Sequence, residues 1–338
     1  LKNLSFVNKI VFVINSLVAT YMLLSFMLPH ISPKSYPIFA ILSLFAPILL
    51  LVNIFFILYW LITLKKQFLL STTILIIGWF VASPFYKFSK KDNPQDTDLS
   101  IMSYNVRMFN QWGWIDEKDI SKKIIDFTTK INPDVLLFQE YYNLEHYKFN
   151  YPHKYIKSKK SNQKLALAIY SKYPIVNKGS FNFENTSNNI IYADVLKDND
   201  TIRIYNLHLE SLQLNTDKEN FGEENSEKLI ARLKDRFQKQ ADQTTSLLEH
   251  EKKWEGKKII AGDFNNTAYS WVYKQISENK KDAFIEAGNG FGKTYNYLFP
   301  MRIDFIFTDT NATINSFTRH KVKFSDHFPI QSHINWQE

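Results

Sequence analysis

Six short apolar runs in the second part of this chain end on residues able to do chemistry. "SYNV" carries Asn105, "LLFQE" ends on Glu140, "IYNLHLES" carries His208, "IIAGDFNNT" delivers Asp263 and Asn265, "RIDFIF" carries Asp304, and "FSDHFPI" carries Asp326 and His327. Each has a plain structural reading when taken singly. Asp and Asn commonly stop strands because their side chains bond the turning backbone, a lone His is more often a core residue than a catalyst, and Asp304 stands two residues from Arg302 as a possible ion pair. Taken together they are harder to explain as turns. An ionised acid in an apolar strand is costly unless a charge or hydrogen bond meets it, so six such strand ends point to one shared polar site.

The residue types narrow the chemistry of that site. Glu140 and Asp326, with the amide oxygen of Asn105, form an all-oxygen set of hard ligands, which suits magnesium, or manganese in its place, better than zinc. The chain has no Cys and no HExxH, so thiolate and zincin sites are excluded. His327 follows one candidate ligand directly, and Asp304 is positioned by type to accept its ring proton and hold it as an imidazolium. Asp263 could hold a water for in-line attack, while Asn265 and His208 could donate to phosphoryl oxygens as charge develops. The inventory fits metal-assisted hydrolysis of a phosphate ester.

In order and wording, "YNV", "FQE", "IYSKYPI", "YNLHLES", "GDFN", "RIDFIF" and "SDHFPI" resemble the motif series of the endonuclease/exonuclease/phosphatase superfamily, the deoxyribonuclease-I-like fold. The resemblance covers about residues 98 to 335. It implies an α/β fold, a four-layer α/β/β/α sandwich with its active site at one end of two packed sheets, and magnesium-dependent phosphoester hydrolysis. By motif, Asn105, Glu140 and Asp326 match the metal positions, Asp263 and Asn265 the nucleophile and phosphate positions, and Asp304 with His327 the orienting pair. His208 matches the histidine of the nuclease, sphingomyelinase and inositol-phosphatase branches. The apurinic-endonuclease branch typically has tyrosine there.

The elements that must position these residues are mixed. Short β-rich runs alternate with helical patterns at 118 to 130 and at about 224 to 253, as expected for one α/β domain of some 240 residues. The long charged insert at 214 to 240 is unexplained by the motifs and reads as a solvated helix. Before this domain the texture differs. No charged residue falls between Lys9 and Lys34, between Lys34 and Lys65, or between Lys66 and Lys87. Each gap holds the roughly 18 to 20 apolar residues that a helix needs to cross a hydrocarbon core, so three transmembrane helices are expected at about 10–29, 38–63 and 68–86. They contain no Asp, Glu, Lys, Arg or central His, and so read as an anchor and not a channel. Residues 87–97, with Pro94, read as a polar linker, which leaves 98–338 as the catalytic domain.

Charge supports this division. Residues 1–97 hold eight Lys and two acids, a net +6, and the rest holds 33 basic and 31 acidic residues, a net +2. A nucleic-acid footprint would concentrate basic excess on the working domain, and here the excess flanks the apolar segments. The expected partners are a lipid bilayer and a phosphate-ester substrate, whether phospholipid, inositol phosphate or nucleic acid, with no protein partner evident. The reading is a multi-pass membrane phosphoesterase acting on a phosphodiester or phosphomonoester. Its alternatives are a nuclease on DNA or RNA, and a non-catalytic membrane scaffold that keeps the fold. Four Lys lie on each side of a three-span arrangement, so the positive-inside rule is silent. The usual dominance of the first helix favours a catalytic domain outside the cytoplasm.

Overall fold

The protein is described by a computed structural model that covers residues 4–82, 84–142, 148–158, 165–213, 223–296 and 300–336. Two compact units emerge. One gathers residues 1–85, 214–241 and 268–274, and the other gathers 86–213, 242–267 and 275–338.

The first unit contains helices α1 (Phe6–Ser25), α2 (Pro37–Ser43), α3 (Ala46–Ile62) and α4 (Phe68–Val81). The expectation of three spanning helices is corrected here. Among the described residues only one helix, running from Phe6 through a final 3-10 turn to His30, is by itself long and apolar enough to cross a membrane. The second expected span is α2 and α3, bent by 43° at a short break. Pro47 enters at the first turn of α3 and has no N–H to continue the hydrogen-bond ladder from α2. The third has 14 helical residues, a rise of only about 21 Å, because the helix stops at Val81 before Pro84. An uncharged run is therefore not the same length as a helix.

The second unit is built from twelve strands among the described residues. In chain order they are β1 (Leu99–Asn105), β2 (Val135–Tyr142), β3 (His153–Ser158), β4 (Leu165–Ser171), β5 (Ile175–Ser180) and β6 (Asn189–Lys197). They continue with β7 (Asp200–His208), β8 (Lys258–Asp263), β9 (Lys280–Asp282), β10 (Asp304–Asp309), β11 (Thr313–Arg319) and β12 (Ile330–Asn335). Two six-stranded sheets result, ordered β11-β12-β1-β2-β4-β3 and β5-β6-β7-β8-β10-β9. Their facing sides share one apolar core, to which Leu99, Ile101, Val135 and Leu137 contribute from the first sheet and Ile191, Ala193, Ile204, Ile259 and Ala261 from the second.

Helix α5 (Ile120–Ile131) covers the outer face of the first sheet, packing Ile120, Ile124 and Ile125 with Met102, Tyr104, Leu136 and Phe138. The 29-residue helix α6 (Glu223–Glu251) reaches the outer face of the second sheet with its C-terminal part, where His250 Nδ1 lies 2.9 Å from the Tyr205 hydroxyl. The mixed two-sheet architecture is thus the one the resemblance implied. Helices α7 (Trp271–Ser277) and α8 (Ala283–Ala287) complete the set.

The insert differs from its sequence reading. Residues 214–222 lie outside the described residues, but Leu233, Phe237, Ala241, Thr244 and Leu247 of α6 are buried, at the three- and four-residue spacing of one helix face. Residues 87–93, expected as linker, run bonded to the second unit. Lys87 exchanges backbone hydrogen bonds with Gly290, and the Lys91 N–H donates to Ala287.

On the outer face of the second sheet the buried Arg203 guanidinium donates to both oxygens of Asp194 at 2.7 Å. It is also stacked between Tyr192 and Trp254, 4.7 and 4.1 Å from their ring centroids. Breaking such a pair leaves a buried charge with no partner. Asp194→Leu is expected to cost about 3–5 kcal/mol, read as a lowered melting temperature against wild type.

Candidate active site

Strand alternation explains how the site is made. On β7, Ile202, Ile204, Asn206 and His208 share the inter-sheet face, and on β8 so do Ile259, Ala261 and Asp263. β8 turns polar at its last inward position, and β7 at its last two. Register then aligns the polar ends, for Asn189 pairs with His208, His208 with Asp263, and Asp263 with Asp304. Four adjacent strands thus present a single row at one end of the sandwich. Across the layer, Asn105 ends β1 in the same way, and its pair partner on β2 is Gln139.

Two backbone features re-aim the row. Gly262 has φ +140°, and a Cβ there would lie 2.1 Å from the Leu207 carbonyl oxygen, so no other residue fits before Asp263. Glu140 has φ +48° inside a register shift between Phe138 and Tyr141. This bulge lets Gln139 stay between the sheets while its neighbour Glu140 turns to the site. Gln139 Nε2 donates to Asn206 Oδ1 at 2.6 Å, and Asn206 Nδ2 donates to the carbonyls of Phe138 and Ala168 at 2.9 and 3.0 Å. Sequence reasoning missed this tie, although Asn206 in β7 and Gln139 in β2 sit at inward positions just behind the site.

Asp263 is at the centre, with 1% of its surface exposed. The Asn265 N–H donates to its Oδ1 at 2.8 Å, and Asn105 Nδ2 donates to its Oδ2 at 3.0 Å. His208 Nε2 and His327 Nε2 each stand 3.7 Å from Oδ2. Burial pushes the Asp263 carboxyl up to about 6, with Asp304 adding to the rise and His327 and His208 opposing it. His327 Nδ1 lies 3.1 and 3.0 Å from the two oxygens of Asp304. Burial alone would depress this imidazole, but Asp304 and Asp263 outweigh it and hold its pKa well above the ordinary value. The Asp304 backbone is fixed in turn by its N–H donating to Thr294 Oγ1 at 3.0 Å. His208 is lowered, chiefly by burial, with Asp263 opposing. One histidine of the site is therefore held charged and the other neutral.

The structure gathers all eight sequence-derived residues, but two are engaged differently from expectation. Asn105 turns its amide NH2 to Asp263 and, at 3.4 Å, to Glu140 Oε1, while its oxygen accepts the Arg107 N–H at 3.1 Å. A ligand role would need that amide rotated. Asn265 spends one side-chain N–H on the Leu209 carbonyl at 2.9 Å, so its backbone N–H, not its amide, serves Asp263. Arg107 was not foreseen. Its Nη1 lies 3.1 Å from Asp326 Oδ2, its guanidinium is stacked 4.6 Å from the Trp114 ring centroid, and it begins a turn of four left-handed residues, Arg107 to Asn110. The cation two positions after Asn105 was the available signal.

Two groups could be considered for a metal. Asp263, Asp304 and His327 offer atoms within 4.8 Å of one another, but Asp304 is already engaged by His327 Nδ1. Glu140 and Asp326 are the better fit. Their side chains are 26% and 22% exposed. Glu140 is raised first by burial, and although His327 opposes this, Asp326 raises it further. Two acids that repel at the mouth of a site, all oxygen, suit a hard divalent cation.

The comparisons agree with this fold. The endonuclease/exonuclease/phosphatase family profile matches residues 102–327, and the chain belongs to that family. A second profile, described only as a domain of unknown function, matches residues 8–85. No curated protein sequence matches. Among solved structures, D. rerio TDP2 complexed with single strand DNA product is 18% identical with a TM-score of 0.54, over 71% of this chain and 100% of that one. The mannosyl-6-phosphatase Bt3783 of Bacteroides thetaiotaomicron VPI-5482 is 16% identical, TM-score 0.53, over 70% and 99%. The human Nocturnin catalytic domain with bound sulfate is 15% identical, TM-score 0.52, over 72% and 96%. At these identities the likeness is one of fold.

An acid able to accept a proton must be ionised. With Asp263 pushed up to about 6, hydrolysis should rise with pH and level off above that value, whereas an ordinary Asp would place the limb near ~3.9. A profile of kcat/KM against pH checks this. A limb near pH 4 removes Asp263 as the base.

Proposed function

We propose that this chain is a membrane-anchored, divalent-metal-dependent phosphoesterase that hydrolyses a phosphodiester or phosphomonoester by in-line attack of water. The observation that carries the reading is the row His208–Asp263–Asp304 with His327 against it and Asn105 and Glu140 facing it. In this reading the two donors on Asp263 aim its carboxylate, which takes a proton from the attacking water as the ester P–O bond breaks. His208 is neutral and offers its ring N–H to a phosphoryl oxygen. The imidazolium of His327, oriented by Asp304, offers a charged donor where negative charge grows. Glu140 and Asp326 would hold the cation, with Asn105 as a further ligand after rotation of its amide. When bound, the cation supplies positive charge to the phosphoryl oxygens. The neighbours' single-stranded DNA product and mannose phosphate are both phosphate esters, and this supports the class without selecting the substrate.

Anchoring is supported by the polarity of the first unit. Asn15 is fully buried, donates to Ser71 Oγ at 2.7 Å and accepts from Trp60 Nε1 at 2.9 Å. Phe6, Leu17, Phe55, Ile62 and Phe80 are exposed. Apolar side chains outward and small or polar groups inward is the pattern of helices that pack in lipid. The protein is accordingly expected in the membrane fraction, resistant to extraction at high pH. Recovery in the soluble fraction would remove the anchor.

Catalysis is tested by metal and by a mutant cycle. Excess chelator should abolish turnover, and magnesium or manganese should restore it. Robust turnover in chelator, or a strict need for zinc, overturns the metal assignment. Asp304→Asn and His327→Ala should each lower kcat about 100-fold or more, and the double mutant should lose little beyond His327→Ala alone, because residues acting as one unit are non-additive. Multiplicative losses would separate Asp304 from His327.

A further inference from the structure

The polar row does not end at His208. Its fourth member, Asn189, together with His208 of the second sheet and Ser187 of the segment before β6, faces Lys157, Leu165, Ala166 and Leu167 of the first across a small groove. Lys157 lies on the edge strand β3 and pairs with Leu167, a residue of the inter-sheet core. Cross-strand partners share a face, so the Lys157 stem runs along the rim of the core at its polar end, with an ammonium at its tip.

The charge balance of this groove is uneven. Several other half-buried lysines of the domain have a partner to meet, for Lys172 bonds Asp134, Lys258 and Lys280 bond Glu251, Lys257 bonds Asp200, and Lys281 donates to the Ala312 carbonyl. Among the described residues no carboxylate meets Lys157. The groove lining contains no acid, and the Asn189 side chain is engaged, donating to Ser180 Oγ and accepting from the Asn182 N–H. A partly desolvated cation that no carboxylate among the described residues neutralises favours an arriving anion. His208 belongs to both the groove and the candidate site, so a ligand whose phosphate sits at His208 can extend a second group directly toward Lys157.

We infer that Lys157 is a specificity-determining residue, binding a second anionic group, a further phosphoryl, on the substrate of the proposed phosphoesterase. The inference rests on that proposed function. It commits to the chemistry of the second group, which a nucleotide or an inositol phosphate headgroup could equally carry.

The test uses the full chain in detergent with magnesium. Two pairs of compounds separate the sources: a nucleoside p-nitrophenyl phosphodiester with and without a second phosphate on its sugar, and an inositol bisphosphate beside the monophosphate. Wild type should prefer the doubly phosphorylated member of one pair. Lys157→Met, which keeps the aliphatic stem, should lower that kcat/KM ratio about tenfold, and Lys157→Arg should restore part of it. A purely structural lysine would lower both members of a pair together, leaving the ratio unmoved, and that result overturns the inference, as does a wild type with no preference in either pair. If wild type turns over none of the four, the phosphoesterase reading fails. Calorimetric binding of the same four compounds then decides the inference separately, since tighter binding of a doubly phosphorylated member must weaken in Lys157→Met.

Discussion

A carboxylate that has been taken out of water must be answered, and Asp263 sets that requirement for the whole catalytic unit. Its oxygens are almost fully enclosed, and the groups that meet them come from far apart in the chain. They are an amide from β1, a backbone N–H two residues on, and two imidazoles carried by β7 and the segment before β12. None of these alone offsets the burial of an ionised acid. The site therefore exists only when both sheets are formed and in register, and its geometry is a consequence of folding.

Register is in turn held by polar groups that do no chemistry. Gln139 and Asn206 cross the gap between the sheets directly behind the site, where an apolar pair would leave the sheets free to slide. A one-residue slip of β7 would turn His208 and Asn206 to the outer face and bring Leu207 inward. Gly262 secures the same boundary from the other side, since its missing Cβ allows β7 and β8 to approach closely at the step before His208 and Asp263. The bulge at Glu140 solves a related problem. It puts two polar residues in sequence, one between the sheets and one at the site, which strict alternation forbids.

Much of this was legible in the sequence because strand alternation is a period-2 code and the strands are short. Inward residues could be read as apolar until near the strand end, and the last one is the candidate site residue in β1, β7 and β8, as is the first inward residue of β10. The pairing of Asp304 with His327 followed from type alone. What escaped reading depended on direction or on neighbours in space. The direction of the Asn105 amide is decided by Arg107 and Asp263, and Asn265 by a carbonyl 56 residues away in sequence. The left-handed turn that carries Arg107 has no glycine within it to announce it. Composition also overstated the helices before residue 86, because a charge-free run reports where no charge is, while Pro47 and Pro84 decide where the helix ends.

The same rule on buried polar groups operates in both units with opposite results. In the catalytic unit apolar side chains fill the layer between the sheets, and polar groups are admitted at its end, where each is bonded. In the N-terminal helices the interior holds Asn15, Ser71 and the Trp60 indole N–H, bonded to one another, while Leu, Ile and Phe side chains face outward. If both units met only water, the second arrangement would waste its apolar area, for burial of that area is what drives folding in water. In hydrocarbon the argument reverses. Outward apolar groups then cost nothing, and an unbonded amide is what the fold must avoid, so the internal Asn–Ser–Trp contact holds the helices where hydrophobic burial cannot. One chain thus carries two arrangements under the same constraint, and the second is the one that the proposed lipid anchor requires.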